Sequence, residues 1–501
     1  MPLYLVWFVL HPDYHEFRLQ ELESLAGCFG IEKNKLWVSN LPNYVSWKGN
    51  EYNRPLANDH SNSFAWVYLP KEDIALRILE RSVLVRGFME VWASGPDHEK
   101  VKQILKQDEH VKSEFLRNYI HDNVDFSWKV RSIGKKLSRP EQVSRMNDYG
   151  FLFKGTEKVN LKEPSLSLGI FEDWRCINWE DEHSKEGISK EEISKVKSDL
   201  KRVYLGRIIG FQSCNDLEDK SLWWLKYTLN KRPILGPTTM DNELAFIMCN
   251  IAQVKKNDVV FDPFCGTGGI LISASHFGAT CFGSDLDLRV INGWFCSYVN
   301  PHMIKNNTIK EDHPRSIYSN FDYYKLQRPG IIRMDISQNS IRRSWIDAIV
   351  CDPPYGIRAT SRTTNSNQNQ INEQREDSSY SGNNYIHSFI QDYNYRKKTS
   401  SYSTPDMSNT HPSVGKNNFG SLQPIDDMIF DLLSFASKTL VNDGHLVFLL
   451  PLLASDANIV ISNLIDAWKH IFSIDFPYMQ TLGGGLGRLL VHMKLLKKKE
   501  K

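Results

Sequence analysis

The sequence predicts an α/β protein, with a doubly wound, mostly parallel sheet over residues 221–496 and an α+β region before it. Three observations carry that reading. From Trp223 onward, short apolar runs alternate with segments of helical spacing, the pattern of a sheet covered on both faces. The run DVVFDPF leads straight into a glycine-rich turn and a helix, which is how the first strand of such a sheet ends. The first 170 residues also alternate strands and helices, which fits a smaller α+β region better than an all-β one.

The elements follow in order. LYLVWFVL (residues 3–10) reads as a buried strand, and EFRLQELESLAGCFG as a helix stopped by Gly30. FAWVYLP is a strand, DIALRILERSV an amphipathic helix and LVRGFMEVWASG a strand. VDFSWKVRSIG and FLFKGTEKVNL read as two further strands, with a short helix, EQVSRMNDYG, between them. Residues 175–220 are polar and charged, so the expected regions are 1–70, 71–175 and 221–496, with a linker at 176–220. Beyond it, NELAFIMCNIAQV is a helix, DVVFDPF a strand, GILISASHFG a helix and ATCFGSD a strand. WIDAIVCDPP is then a strand, DMIFDLLSFASKTL a helix and HLVFLLPLL a strand. Residues 359–420 are rich in Asn, Ser, Thr and Gln and poor in aliphatic residues. Such a segment cannot bury enough apolar surface to fold alone, and it reads as a disordered insertion in a surface loop.

Composition narrows the function class. With 61 basic and 59 acidic residues the formal net charge is +2, so any nucleic-acid contact must come from a local basic face. The cysteines (Cys28, Cys176, Cys214, Cys249, Cys265, Cys281, Cys296 and Cys351) form no Cys-x-x-Cys pair. That argues against a structural zinc site, so no metal is expected, and it suits reduced thiols in an intracellular compartment. The apolar start MPLYLVWFVL lacks a basic flank and a small-residue cleavage site, so a strand is expected there and not a signal peptide. No apolar run reaches the length of a membrane span.

Three constellations carry chemistry. In DVVFDPFCGTGGIL, a strand ends on Asp262, and a loop with Phe264, Gly266, Gly268 and Gly269 opens a helix. Glycines let a backbone approach a ligand closely, and the helix N-terminus offers free N–H groups. The loop is neither G-x-G-x-x-G nor a phosphate loop with its lysine. In CFGSDLD, Asp285 stands at the tip of the next strand, where a carboxylate can accept from two ribose hydroxyls; Asp287 is its rival. Asp335, in IIRMDIS, sits where a third strand would end and is a candidate acceptor for an adenine amino group or a turn aspartate.

In IDAIVCDPPYG, a buried strand runs into Asp352, Pro353, Pro354 and Tyr355. The prolines fix the loop so that the Asp352 carboxylate and the Pro353 carbonyl can point at one locus. An exocyclic amine on a base is a poor nucleophile because its lone pair is delocalised into the ring. Two acceptors gripping its N–H groups would localise that pair by positioning and electrostatics. Tyr355 offers a face on which a flipped base can stack.

D-P-F-C-G-T-G-G followed by D-P-P-Y-G resembles the amino-methyltransferases of nucleic acids. RPILGPTTMDNELAFIMCN (residues 232–250) and VYLGRIIG (203–210) are similar to stretches of the tRNA guanosine-10 N2-methyltransferase catalytic subunits. The resemblance implies a Rossmann-like methyltransferase domain, preceded by ferredoxin-like and THUMP modules that bind the acceptor end of tRNA. It implies S-adenosylmethionine as cofactor, held by Asp262, Gly266, Gly268, Asp285 and Asp335, with Thr238, Thr239 and Met240 closing over its methionine part. Read from residue type alone, Thr239 or Asp241 is a helix cap. Lys129, Arg131, Lys135, Lys136, Arg139 and Arg145, interleaved with Phe126 and Trp128, form a candidate phosphate-binding face or an ordinary solvated one. The resemblance also implies a small zinc-binding activator subunit and a cytoplasmic location. A DNA or rRNA amino-methyltransferase and a non-catalytic RNA-binding subunit are the alternatives; the second would be expected to lack the glycines or Asp352.

The composition of the insertion generates a prediction. Deleting residues 365–415 should lower the melting temperature by no more than about a few degrees, because long surface insertions cost little. A fall of many degrees in a thermal melt would show that the segment packs.

Overall fold

The computed structural model describes residues 2–38, 41–45, 55, 63–174, 200–212, 222–236, 239–292, 297–338, 341–354, 425–453, 457–475, 477–482 and 486–497. Thr238, Tyr355, Cys176, Cys214, Cys296, residues 175–199 and the expected insertion at 359–420 lie outside them. The chain divides into two compact units, Met1–Leu222 and Trp223–Lys501.

The first unit is built on one sheet. Its strands are β1 (Leu3–Phe8), β2 (Phe64–Tyr68), β3 (Val85–Gly95), β4 (Asp125–Ile133), β5 (Lys158–Val159), β6 (Leu166–Trp174) and β7 (Leu200–Phe211). They lie in the order β2-β1-β3-β7-β6-β4-β5, so a single sheet runs through the regions expected at 1–70 and 71–175. The helices Arg18–Cys28 and Glu72–Leu79 bury Leu19, Leu22, Leu25, Ile74 and Ile78 against Val6 and Val67. The helix Arg139–Asp148 starts where a capping box starts it: Ser138 accepts from the Glu141 N–H, and the Glu141 carboxylate accepts from the Ser138 N–H.

Two expectations change here. Leu200–Phe211, assigned to the linker by the charge around it, is a long strand hydrogen-bonded on both sides, to β3 and to β6. Its buried residues Val203, Tyr204, Leu205 and Ile208 supply the apolar surface that the surrounding composition hid. FLFKGTEKVNL yields only the two-residue strand β5. Gly155, at φ +95°, breaks the run, and Phe153 packs inward from a turn, its ring 4.0 Å from that of Phe126.

The second unit has the expected α/β architecture. Its strands are β8 (Ile234–Leu235), β9 (Val259–Asp262), β10 (Thr280–Asp285), β11 (Tyr298–Val299), β12 (Gly330–Arg333), β13 (Ile346–Cys351), β14 (Leu440–Leu453), β15 (Phe472–Ile474), β16 (Tyr478–Thr481) and β17 (Leu486–Leu495). The main sheet has the order β12-β10-β9-β13-β14-β17-β15, with β16 added alongside β17. β12, β10, β9, β13 and β14 are mutually parallel, and β17 runs antiparallel to β14. The helix Ile425–Thr439 covers one face with Met428, Leu432, Leu433 and Phe435, packed with Ile349, Phe448 and Val491.

The topology fixes where a ligand can sit. From β9 the chain first builds outward through β10 to β12, and then returns to lay β13 on the other flank of β9. In an open parallel sheet, the carboxyl ends of the two strands flanking such a reversal diverge into a crevice. Here those ends carry the glycine loop and Asp352. Among the described residues, no helix is long and apolar enough to cross a membrane, and no group of His, Cys, Asp and Glu is arranged to hold a metal ion.

Candidate functional site

The glycine loop is held by hydrogen bonds that its backbone donates to acids at the ends of β9 and β10. Asp262, at the end of β9 and 2% exposed, accepts from the Phe264 N–H at 3.0 Å. Asp285, at the tip of β10, accepts from Gly266 N–H at 3.0 Å and from Asp287 N–H at 2.9 Å. Cys265 N–H donates to the Ser284 carbonyl, tying the loop to β10. Gly266 and Gly268 have φ of +49° and +83°, the left-handed region that favours glycine. A Cβ on Gly268 would press on Ile317 and Phe321 at 3.1 Å, whereas one on Gly266 would meet nothing within 4 Å among the described residues, so the loop leaves a notch between them there. The Phe264 ring is half-buried and packs against the core beneath β13 and β14.

The rival acids separate by their partners. Asp287 accepts from the Arg289 backbone and pairs with its guanidinium at 2.5 Å, so it caps the next short helix, while Asp285 faces the loop. Asp335 lies beyond the edge strand β12 and accepts from the backbone and hydroxyl of Ser337, the geometry of a turn aspartate. The Thr239 hydroxyl accepts from the Gly236 N–H at 2.7 Å and lies 3.3 Å from that of Thr267. Gly236 and Thr239 are thereby brought onto the glycine loop, and Asn320 reinforces the contact by bonding Ile234 and the Thr267 carbonyl. The helix cap is Asp241, which accepts from Glu243 and Leu244.

Asp352 leaves the end of β13 half-buried, followed by buried Pro353 and half-buried Pro354; Tyr355 lies outside the described residues. One partner of Asp352 had no signal in the sequence. Arg488, on β17, places Nη1 4.0 Å from the Asp352 carboxylate. Asp262, Asp285 and Asp352 thus gather at the ends of three neighbouring strands. Burial pushes the Asp262 carboxyl well above the usual carboxylate range, and the charges of Asp285 and Asp352 push it further. Burial raises Asp285 as well. Burial and these same carboxylates raise the thiols of Cys265 and Cys351, which stay protonated and are not nucleophiles.

Two family models match the chain. Residues 230–374 match an RMKL-like methyltransferase domain, and residues 54–212 match the Tmrp11 THUMP N-terminal domain. Together they give the chain the domain make-up of the THUMP-containing amino-methyltransferases. Among its relatives is the tRNA (guanine(10)-N(2))-methyltransferase TRMT11 of Bos taurus, 29% identical over 97% of this chain and 87% of that one. The human TRMT11 is 28% identical over the same shares. The tRNA (guanine(10)-N(2))-methyltransferase of Saccharomyces cerevisiae is 27% identical over 98% of this chain and 93% of that one.

The THUMP-bearing unit of this methyltransferase carries the basic residues, with different aromatic partners from those expected. Phe126 and Trp128 alternate with Lys129 and Arg131 along β4 and so face the opposite side, where they pack with Tyr149 and Phe153. Lys129 and Arg131 instead lie over the Phe211 ring, at 5.9 and 5.5 Å, and Lys135 lies 4.3 Å over Trp174. Arg131, Lys135 and Lys136 line a cleft of 610 Å³ together with Arg86, Trp7 and Phe211. Cations beside half-buried rings at a cleft suit nucleic acid. Arg145 is different: its Nε donates to the buried Glu172 carboxylate at 2.7 Å, beside His98. Burial would raise Glu172, but the bonds from His98 and Arg145 outweigh it and hold the carboxyl low, so Arg145 serves the core.

The buried carboxylate of Asp262 generates a prediction. Its pKa is raised by folding, so its ionised form destabilises the native state at high pH. That penalty fades as pH falls through the folded value and is gone below the ordinary value of 3.8. Asp262→Asn keeps an acceptor for the Phe264 N–H and removes the charge. Its melting temperature should exceed that of the parent at pH 8, with the gain shrinking toward pH 4. A gain independent of pH, read by scanning calorimetry, would refute this origin.

Proposed function

We propose that this methyltransferase moves a methyl group from S-adenosylmethionine to the exocyclic N2 of a guanosine in tRNA, at position 10. The observation that carries the reading is the pairing of β9 with β13, which sets the glycine loop and Asp352-Pro353-Pro354 on adjacent parallel strand ends. The names of the relatives point to the same base and atom.

The residues present fit the cofactor. S-adenosylmethionine supplies an electrophilic methyl group on a positively charged sulfur. A cluster of three carboxylates with a notch at Gly266 favours a cation of that kind over a phosphate ligand. Asp262, Phe264, Gly266, Gly268 and Thr239 would line its site, Asp285 would accept from ribose hydroxyls, and Asp335 would stand near the base. Asp352 and the Pro353 carbonyl would accept the two N–H groups of the guanine amine and aim its lone pair. Pro354 stiffens the loop, and Tyr355 would stack on the base. Lys129, Arg131, Lys135 and Lys136 would hold tRNA phosphates in the THUMP-bearing unit.

The decisive experiment is nucleoside mass spectrometry of tRNA from cells lacking the protein, where loss of N2-methylguanosine at position 10 is expected; unchanged tRNA would sink the proposal. Two variants separate chemistry from cofactor binding. Asp352→Ala should lower turnover by about 10²- to 10⁴-fold, with cofactor affinity changed by less than about tenfold. Asp285→Ala should weaken cofactor binding first, through the loss of charged hydrogen bonds worth about 1.5–3 kcal/mol each. If Asp352→Ala abolishes cofactor binding in calorimetric titration while turnover at saturating cofactor is unchanged, the roles are wrongly assigned.

The same reading includes a cytoplasmic location and a small zinc-binding activator subunit. Poor solubility alone and a stable one-to-one complex on co-expression are expected. Full activity of the isolated monomer would refute the partner.

A further inference from the structure

Lys135 stands on the wall of the basic cleft, in the turn between β4 and the helix Arg139–Asp148. A surface lysine ordinarily samples many rotamers, and it loses that freedom when a phosphate fixes it. Lys135 is held in advance. Its Nζ lies 4.3 Å over the Trp174 ring and 3.6 Å from Glu141 Oε1, yet 36% of the side chain stays exposed. Its backbone is held as well: Gly134, at φ +81°, turns the chain, and the Ser132 hydroxyl donates to the Lys135 carbonyl.

Trp174 is anchored from the core. It ends β6, two residues after Glu172 and on the same face of the strand. Its Nε1–H donates to Glu172 Oε2 at 2.8 Å. The Glu172 side chain is fully buried, and its other oxygen accepts from Arg145 Nε at 2.7 Å and from His98 Nε2 at 2.8 Å. A carboxylate only accepts, so His98 is the donor there, and its Nδ1 is left to accept from the Tyr149 hydroxyl. Arg145 and His98 come from different helices, Arg139–Asp148 and His98–Gln107, and Glu172 ties both to β6. Contacts thus run without a gap from the core to the cleft: Glu172 fixes the indole, and the indole carries the ammonium. A ring face attracts a cation without occupying its N–H groups, of which lysine has three to offer a phosphate.

We infer that Trp174, anchored by Glu172, is a positioning residue for tRNA binding, its ring holding the Lys135 ammonium where a phosphate of the tRNA meets it. The inference rests on the proposed function for the identity of the ligand, and on the observed geometry for the path from Glu172 to Lys135.

The test uses the full chain, with its activator subunit if that is needed for solubility, and reads equilibrium binding of tRNA in place of turnover. The variants are Trp174→Leu, Trp174→Phe, Lys135→Ala and the two position-174 changes combined with Lys135→Ala. A cation–ring contact near the surface corresponds to about a two- to fivefold change in affinity. Trp174→Leu should weaken tRNA binding by about that factor in the parent and have little effect in the Lys135→Ala background, the non-additivity expected when one residue acts through another. Trp174→Phe keeps a ring and loses the bond to Glu172, so it should fall between. Lys135→Ala should reduce the slope of log affinity against log salt by about one, and Trp174→Leu should reduce it in the same sense, which a loss of general stability would not do. Affinity for S-adenosylmethionine should stay at the parent's value, because both residues lie in the first unit. Equal losses of tRNA affinity in both backgrounds, or none in either, overturn the inference. If thermal melts show that Trp174→Leu does not fold, the cycle with Trp174→Phe decides by the same outcomes. A parent that binds no tRNA overturns the inference outright. One that binds tRNA without methylating it refutes the proposed function, and the binding cycle still decides the role of Trp174.

Discussion

The site depends on β9 being hydrogen-bonded in parallel on both flanks. Gly283 pairs with Asp262 on one side and Ile349 with Phe261 on the other, so the strands stop at nearly the same height and release their loops on the same side of the sheet. An antiparallel neighbour would send its loop to the opposite end. Close approach is part of this constraint: a Cβ on Gly283 would stand 2.8 Å from Leu271 and 2.9 Å from Cys265, pushing the glycine loop off the sheet. The apolar core under β13 and β14 holds the strands in register and contains no catalytic group.

Converging strand ends have an electrostatic consequence. Each carries an aspartate, and like charges confined together in a poorly solvated crevice disfavour one another. The structure answers in two ways. Backbone N–H groups of Phe264, Gly266 and Asp287 donate to Asp262 and Asp285, while Arg488 brings a full positive charge toward Asp352. Burial and the neighbouring carboxylates therefore make ionisation of Asp262 costly to the fold.

Most of the site's scaffold was legible in the sequence, because each of its acids directly follows an apolar strand and strand ends are local features. Asp262, Asp285 and Asp352 needed only that adjacency. The rival Asp287 resolved once Arg289 was seen to occupy it, and Asp335 sits past an edge strand, bonded to Ser337. Arg488 could not be read, because β17 reaches the site from far along the chain by antiparallel pairing with β14. In the first unit the period of two along β4 separates the aromatic residues from the basic ones: Phe126 and Trp128 share a parity that Lys129 and Arg131 do not. Their true aromatic neighbour, Phe211, ends a strand that charged sequence on its N-terminal side disguised as a linker.

Burial separates the roles of chemically identical side chains. Asp262 is sealed under its loop, so its carboxylate can act on a ligand only through its field and through the backbone it holds. Asp285 is half-buried, with both oxygens already engaged by backbone donors; further donors can reach only the remaining lone pairs, which suits a short-range contact of fixed geometry such as a sugar hydroxyl. Asp352 keeps a quarter of its side chain exposed, and its cation stands beyond hydrogen-bond range. Like Asp285, and unlike Asp262, it is only half-buried. Burial thus separates Asp262, sealed at the end of β9, from the half-buried Asp285 and Asp352, although a sequence writes all three with the same letter.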